Sequence, residues 1–238
     1  MDVIRDALER DGWARSDAPR TRALLQAHGG ADWEGFAASW DDLGVDGYMA
    51  DGGRYRRRRF ACFAAPSGDG GAIVRKPHQP HYQSRDYNPL NGGIERWFAP
   101  ITDPIAAHPM LRAALLASRA VFDACAPVGP RPDAWHVEVH QFRIVAGESE
   151  GKPTPEGMHK DGVDWVMVML VSRVNIASGV TVLEDAAHRP LGGFTLTEPM
   201  DAAFVDDARV FHGVTPVTRV DPTRPAHRDV LVVTYRRA

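Results

Sequence analysis

The chain places a histidine and an aspartate two positions apart, His159 and Asp161, in the segment PEGMHKDGVDW that directly precedes the apolar run VMVMLV. In extended backbone, residues i and i+2 project from the same face, so these two side chains can share one ion. Imidazole and carboxylate groups are ligands of first-row transition metals. The pattern therefore predicts part of a metal site at the entrance of a buried strand.

A third ligand has to come from elsewhere, and His212 in the late segment VFHGV is the best candidate. Two histidines and one carboxylate leave three positions open on an octahedral ion, an arrangement that suits non-haem Fe(II) and O2. Chance is the competing explanation, because 10 histidines make about one accidental His-x-Asp expected. A second match, HRD at 227–229, is interpreted as the accidental one. A histidine in an apolar strand can also be only a core residue.

The elements that would position these residues change character near residue 131. In the first part, the sequence pattern predicts two helices that end at Gly12 and Gly29 and two more over 32–43 and 110–126. It also predicts strands over 55–63 and 72–76, joined by a Gly-rich turn, and a long, functional loop over 79–100. Short apolar segments separated by Gly, Asp and Pro follow, which is typical of a sandwich or barrel. We predict one domain, 1–238, in which a helical and irregular part (1–130) supports a β-barrel (131–238) that carries the site.

Composition excludes several classes of protein. The net charge of -3 gives no reason to expect nucleic acid or an anionic membrane as a partner. Two cysteines, Cys62 and Cys125, cannot build a disulfide framework or a thiolate zinc site. The first residues lack the apolar core of a signal peptide, and no apolar stretch approaches the roughly 20 residues that span a bilayer. We expect a cytoplasmic protein that binds neither nucleic acid nor membrane; its oligomeric state is left open.

The text around the three candidate ligands is PEGMHKDGVDWVMVMLVSRVNIASGVTVLED, DDARVFHGVTPV and HRDVLVVTYRR. It resembles the bacterial 2-oxoglutarate/Fe(II) dioxygenases of the L-isoleucine 4-hydroxylase type over residues 134–236, and more loosely over RYRRRRF and the loop at 79–100. The resemblance implies an α+β, mainly β fold, namely a double-stranded β-helix (a jelly-roll or cupin-like barrel) with N-terminal helices packed against it. It implies His159, Asp161 and His212 as Fe(II) ligands.

The same resemblance implies a reaction. Members of this family couple the decarboxylation of 2-oxoglutarate to succinate with the O2-dependent hydroxylation of an unactivated C–H bond. The implied substrate is a small carboxylate-bearing molecule, either a free L-amino acid or a simple derivative of one. The expected cofactor and cosubstrates are therefore Fe(II), 2-oxoglutarate and O2.

The arginine that binds the far carboxylate of 2-oxoglutarate is predicted to be Arg228, because a planar guanidinium suits a carboxylate. Many relatives in the wider superfamily have this arginine closer to the second histidine, followed by Ser or Thr. Here Arg228 lies 16 residues after His212, and Val230 replaces the hydroxyl. The strand of Arg228 is expected to pair next to that of His212 if the intervening turn is a hairpin.

Two further sets of polar residues have alternative interpretations. Alternation along WHVEVHQFRI puts Gln141 and Arg143 on one face, where they either line the pocket and bind the cosubstrate or form a salt-bridged barrel rim. In the run 56–59 four arginines alternate between faces, so the outward ones are solvated and an inward one is available for a substrate carboxylate. A basic nucleic-acid patch is disfavoured there because the chain is net acidic.

Two other functions compete with the hydroxylase. One is a catalytically silent metal-binding or sensory barrel, which the complete ligand set and an arginine on the last strand disfavour. The other is a cupin-like metal hydrolase or isomerase, which would use further histidine ligands near the first. The sequence has none between Asp161 and His188.

Overall fold

The structure is a computed structural model that describes residues 1–68, 71–125 and 132–238. Its helices are α1 (Asp2–Asp11), α2 (Ala18–Ala27), α3 (Trp33–Ala38), α4 (Asp103–Ala106) and α5 (Pro109–Cys125), with a 3-10 helix over Ser39–Asp42. Its strands are β1 (Trp13–Ser16), β2 (Gly44–Val45), β3 (Arg56–Pro66), β4 (Val74–Arg75), β5 (Ala134–Val145), β6 (Trp165–Val174), β7 (Ile176–Ser178), β8 (Thr181–Glu184), β9 (Pro190–Phe194), β10 (Ala202–Asp206), β11 (Phe211–Val214), β12 (Val217–Arg219) and β13 (His227–Arg237). Part of the predicted Gly-rich turn, the predicted helix end at residue 126 and the predicted boundary between 130 and 131 lie outside the described residues.

The main sheet has the strand order β1-β10-β6-β13-β5-β3-β2, with β4 paired to β3. All these pairs are antiparallel. The long strands β3, β5, β13 and β6 lie side by side at its centre. Their register puts Arg56 across from Ile144, and Ile144 across from Arg228. Because paired residues point to the same face, these three side chains form one row across the sheet.

The main sheet is buried on both faces. Along each central strand the odd-numbered and the even-numbered side chains point to opposite faces and have different neighbours. The odd-numbered side chains pack with the helices in the principal core: Phe63, Trp135, Val137, Val139, Trp165, Met167, Leu231, Val233 and Tyr235. The even-numbered side chains line a cavity: Arg56, Arg58, His136, Glu138, His140, Phe142, Val166, Val168, Val230 and Val232.

Helix α5 covers the first of these faces, as its apolar stripe predicts. Its Phe122 ring stacks on Trp165 with ring centroids 5.3 Å apart. The Tyr235 hydroxyl donates a hydrogen bond to the Leu115 carbonyl oxygen at 2.8 Å. Each buried side chain of this size stabilises the fold by about 1.5–3 kcal/mol. The helix thus fixes one face of the sheet and leaves the other free to form the cavity.

Two smaller sheets, β11-β8-β9 and β12-β7, complete the β-structure. Thr181, His212 and Val214 from the first of them line the same cavity as the main sheet. The cavity is therefore enclosed between sheets, as in a barrel, and the helices lie outside it. No helix in the described ranges is long and apolar enough to cross a membrane.

The first 130 residues contribute more β-structure than predicted. Strand β3 pairs with β5 along its whole length, from Arg56 opposite Ile144 to Pro66 opposite Ala134, and β1 pairs with β10. The β-structure is thus not confined to 131–238, and β3 brings Arg56 and Arg58 to the cavity wall. The predicted helix over 32–43 divides into α3 and the 3-10 helix.

Candidate metal centre and its cavity

Three side chains converge at the end of β11. The backbones of His159 and His212 exchange hydrogen bonds at 3.0 and 2.9 Å, which joins the PEGMHKDG segment to this strand. Asp161 lies between the two rings, with Oδ1 3.5 Å from His159 Nε2 and Oδ2 3.4 Å from His212 Nε2. The donor atoms all lie within 4.8 Å of one another. The structure thus brings together the three residues that the sequence singled out.

The loop that carries Asp161 is held by a second carboxylate, Asp207. Its Oδ1 accepts a hydrogen bond from the Asp161 amide at 2.9 Å, and its Oδ2 accepts from the amides of Gly162 and Val163 at 2.8 and 3.1 Å. Gly162 has φ +78°, a conformation that L side chains rarely adopt, so the loop needs glycine there. Gln83 donates to Asp161 Oδ1 at 3.2 Å. These contacts fix the direction of the carboxylate.

The charges of the site oppose one another. Burial raises the pKa of Asp161, but its hydrogen bonds with the two histidines outweigh burial and hold its pKa well below the usual range. Burial lowers the pKa of His159, but the hydrogen bond with Asp161 and the charges of Asp161 and Glu156 prevail and raise it to about 9. Burial and the nearby charge of Asp161 raise the pKa of Asp207. A metal ion therefore displaces a proton from His159 and meets an Asp161 that is already ionised.

The donor set fits a divalent first-row transition metal. Two imidazole nitrogens and one carboxylate suit Fe(II), and three donors leave further positions on an octahedral ion. His159 Nδ1 is 3.0 Å from the Gly157 carbonyl oxygen, which leaves Nε2 for the ion. His212 Nδ1 is buried without a hydrogen-bond partner in the described part of the chain, and Asp207 Oδ1 is 3.8 Å away. A carboxylate beside the outer nitrogen of a ligating histidine orients the ring.

The three residues line a cavity of about 340 Å³, a size suited to small molecules. Valines make up much of its wall. Besides Asp161, seven charged side chains interrupt this apolar lining: Arg56, Arg58, Arg96, Glu138, Glu156, Arg228 and the exposed Arg236. A cavity that is both buried and charged is suited to ligands that carry charges of their own.

Arg228 lies in the cavity wall, as predicted, and is 3% exposed. Within the described ranges no carboxylate lies within 4.0 Å of its guanidinium, and its Nε has no hydrogen-bond partner. Burial, followed by the charge of Arg173, lowers its pKa to about 10. The guanidinium is therefore a buried cation with space for an anion in front of it.

The prediction that the strand of Arg228 pairs next to the strand of His212 is wrong. Strand β13 pairs with β5 and β6, whereas β11, which carries His212, pairs with β8. The intervening chain does not form a simple hairpin, because residues 217–219 form β12 and pair with β7. This excursion also explains the long separation between His212 and Arg228.

The prediction that Gln141 and Arg143 line the pocket is corrected, because they have the opposite parity to the cavity-lining residues of β5. Gln141 donates from Nε2 to Ser39 Oγ at 2.8 Å, on the side of the 3-10 helix. Arg143 forms ion pairs with Asp229 at 2.7 Å and with Asp41 at 2.9 Å. The alternative interpretation of Arg143 as part of a salt-bridged rim describes its contacts.

The cavity face of β5 carries a histidine cluster that sequence reasoning missed, centred on Glu138. Its carboxylate lies 2.7 Å from His81 Nδ1, 3.4 Å from His136 Nε2 and 3.8 Å from His140 Nε2. Arg58 donates to His140 Nδ1, so the proton of that imidazole is on Nε2 and points to Glu138. Although His81, Glu138 and His140 are close enough to hold an ion, this tautomer makes them a hydrogen-bond network. Burial and the charge of Arg58 lower the pKa of His140 to about 3, which keeps it neutral.

Comparison with known proteins identifies relatives of this chain. The family model described as 2OG-Fe dioxygenase matches residues 37–234. The chain is 26% identical over 239 residues to the 3(1)-hydroxy-L-isoleucine 4-dioxygenase of Pantoea ananatis (strain AJ13355), a match that covers 97% of this chain and 94% of that protein. It is 29% identical over 157 residues to the L-isoleucine-4-hydroxylase of Bacillus thuringiensis, covering 65% and 64% of the two chains.

Solved structures show the same architecture. A bsmA homolog from Methylobium petroleophilum PM1 superposes with a TM-score of 0.88 at 34% identity, covering 99% of this chain and 92% of that one. The likeness confirms the predicted mainly β fold, a double-stranded β-helix with N-terminal helices packed against it.

Proposed function

The chain belongs to the 2OG-Fe dioxygenase family, and from this premise we propose that it hydroxylates an unactivated C–H bond of a small L-amino acid or a simple derivative of one. It is an oxidoreductase that depends on Fe(II), 2-oxoglutarate and O2. Two relatives are named for reactions on L-isoleucine or its hydroxylated form. Their names support an amino acid as the substrate.

One observation carries the proposed site: His159, Asp161 and His212 converge at a cavity that also contains a buried arginine without a carboxylate partner, in the part of the chain that the structure describes. We assign the first three as Fe(II) ligands. We assign Arg228 to the 5-carboxylate of 2-oxoglutarate. The metal site and an anion site in one cavity are the two parts that this chemistry requires.

His159, Asp161 and His212 would hold Fe(II), which would supply the O2 chemistry of this family: 2-oxoglutarate is oxidised to succinate and CO2, with one oxygen atom of O2 entering the succinate and the other the C–H bond. The remaining work is done by the chain. Asp207 holds the Asp161 loop through three backbone amides, and Gly157 accepts the Nδ1 proton of His159. Arg228 holds the far end of 2-oxoglutarate, and the valine lining keeps water from the reacting carbon.

A catalytically silent barrel is not favoured. A protein that only binds metal has no use for a buried arginine in the same cavity as the ligand set, because an unpaired buried charge is costly. The Arg228 guanidinium has that cost unless an anion binds. The dioxygenase relatives support turnover as well.

The direct test is a coupled assay with a substrate panel. Purified protein with Fe(II) and 2-oxoglutarate is given each L-amino acid, free or N-acylated, and succinate and product masses are followed. We expect at least one compound to stimulate succinate formation and to gain one oxygen atom. If only peptides, nucleic acids or lipids are turned over, the proposed substrate class is wrong.

A further inference from the structure

Arg96 is a second buried cation that lacks an anionic partner. It is 2% exposed and lines the cavity. Its NH2 group donates to Gln83 Oε1 at 3.1 Å, while its Nε has no hydrogen-bond partner. No carboxylate among the described residues lies within 4.0 Å of its guanidinium. The neighbouring Arg56 and Arg58 differ, because both pair with Asp46, at 2.7 and 3.6 Å.

Glu156 is a buried carboxylate whose ion pair is with His159, a residue that gives up its proton when a metal ion binds. Its side chain is 8% exposed, and its Oε2 has no hydrogen-bond partner within the described ranges. Its Oε1 lies 3.6 Å from His159 Nε2, the donor atom assigned to the metal. No lysine or arginine of the described chain pairs with it. The carboxylate is thus available to a cation that enters the cavity beside the metal.

Both groups face one space. Burial and the charge of Arg56 lower the pKa of Arg96, whereas the carboxylates of Asp46 and Glu156 act in the opposite direction. The charge of Glu156 therefore reaches Arg96 without a direct contact between them. Both residues line the same cavity, together with the three proposed metal ligands.

Gln83 connects Arg96 to the metal centre. Its amide oxygen accepts from Arg96 at 3.1 Å, and its amide nitrogen donates to Asp161 Oδ1 at 3.2 Å. An anion held by Arg96 is therefore separated from a metal ligand by one side chain. A small molecule anchored there would lie in the cavity that the three proposed metal ligands line.

Counting charges assigns the two sites. Of the buried cavity arginines, Arg96 and Arg228 are those without a carboxylate partner in the described part of the chain, whereas Arg236, which also lines the cavity, is exposed to solvent. The reaction brings together 2-oxoglutarate and one further substrate. Arg228 serves the 5-carboxylate of the first, and Arg96 remains for a carboxylate of the second. Glu156 then requires a positive group on the same substrate.

We infer that Arg96 and Glu156 together recognise the α-carboxylate and the α-ammonium group of an unmodified amino acid, which makes the free zwitterion the substrate. The inference rests on the proposed function and narrows it. An N-acylated amino acid has no ammonium group and leaves Glu156 buried without a cation. An amino-acid amide has no carboxylate and leaves Arg96 in the equivalent state. The valine-rich wall is suited to an aliphatic side chain.

The experiment measures binding before turnover. Protein loaded with Mn(II) and 2-oxoglutarate is titrated calorimetrically with L-isoleucine, N-acetyl-L-isoleucine and L-isoleucinamide, and then with the other free L-amino acids. Removing one partner of a buried charge pair typically weakens binding by about 30-fold or more. We expect both blocked compounds to bind at least that much more weakly than the best free amino acid.

Two near-isosteric variants locate the effects. Glu156→Gln should weaken binding of the free amino acid by about 30-fold or more but change the N-acetyl compound by less than about 3-fold, because the contact is already lost there. Arg96→Met should behave in the same way towards the amide. Arg112→Met, on the exposed face of α5, is the matched control and should bind all three compounds as the unmodified protein does.

The outcomes separate this inference from the proposed function. If the blocked compounds bind as well as the free ones, if no free amino acid binds to protein that binds 2-oxoglutarate, or if Glu156→Gln binds normally, the zwitterion assignment is wrong and the dioxygenase assignment stands. Failure of the Mn(II)-loaded protein to bind 2-oxoglutarate, together with absence of Fe(II)-dependent succinate formation from any compound, refutes the proposed function itself.

Discussion

Replacing Arg228 by methionine should weaken the binding of 2-oxoglutarate while sparing the fold. Burial lowers the pKa of Arg228 to about 10. Because a difference of one pH unit in pKa corresponds to about 1.4 kcal/mol, keeping this guanidinium charged without an anion costs about 3 kcal/mol. A carboxylate that enters beside it recovers an energy of this size. Loss of the guanidinium in Arg228→Met should therefore raise the dissociation constant of 2-oxoglutarate by about 100-fold.

The same reasoning gives an opposite expectation for the ligand-free protein. Methionine fills a similar volume and carries no charge, so the free energy of unfolding should stay constant or rise. The assay combines calorimetric titration of 2-oxoglutarate into Mn(II)-loaded protein with urea unfolding of the ligand-free protein. Arg224→Met is the control, because Arg224 is an exposed residue of the turn before β13. Unchanged 2-oxoglutarate binding in Arg228→Met, or a large loss in an Arg219→Met variant, would refute the assignment.

Two further predictions follow from residues around the cavity. The pKa of His140 is depressed to about 3, so its contribution to stability is complete above its ordinary pKa near 6.5 and is lost as pH falls towards 3. Urea unfolding should therefore show a loss of about 1–2 kcal/mol between pH 6.5 and 5.5 to which His140 contributes, and a His140→Gln protein should show a shallower slope. Gln141→Leu and Arg143→Met should leave the apparent KM for 2-oxoglutarate within about 3-fold of that of the unmodified protein, with Arg143→Met less stable because Asp229 stays buried without its partner. A rise of more than 10-fold in that KM for either variant would show that the replaced residue does bind the cosubstrate.

The parts of the fold with strong periodicity could be predicted from the sequence. The apolar stripe of α5 and the short strands after Pro132 gave the correct element types. The parity of β5 was wrong for a physical reason. Gln141 and Arg143 were expected to line the pocket because they share a face with Val137 and Val139. The main sheet is buried on both faces, however, and the face that carries Val137 and Val139 packs on the helices. The charged parity, with Glu138 and His140, faces the cavity.

The site could be predicted only where a motif carried it. His159, Asp161 and His212 are identifiable from their spacing and surrounding text. Arg96 and Glu156 are not, because they lie in irregular segments where no periodicity indicates a direction for the side chain. Their significance comes from the partners that they lack, and this is a property of the folded chain. The long loop at 79–100 was predicted to be functional, and it supplies Arg96 to the cavity.

The most direct test of the account is the succinate yield of Fe(II)-loaded protein in which one proposed ligand has been removed. Asp161→Ala should retain the fold, measured by circular dichroism, because the backbone contacts between His159 and His212 do not involve its carboxylate. It should form no Fe(II)-dependent succinate and show no visible absorption band with anaerobic Fe(II) and 2-oxoglutarate. His227→Ala, which disrupts the accidental HRD match, should retain both signals. Undiminished succinate formation by Asp161→Ala would contradict the proposed metal centre.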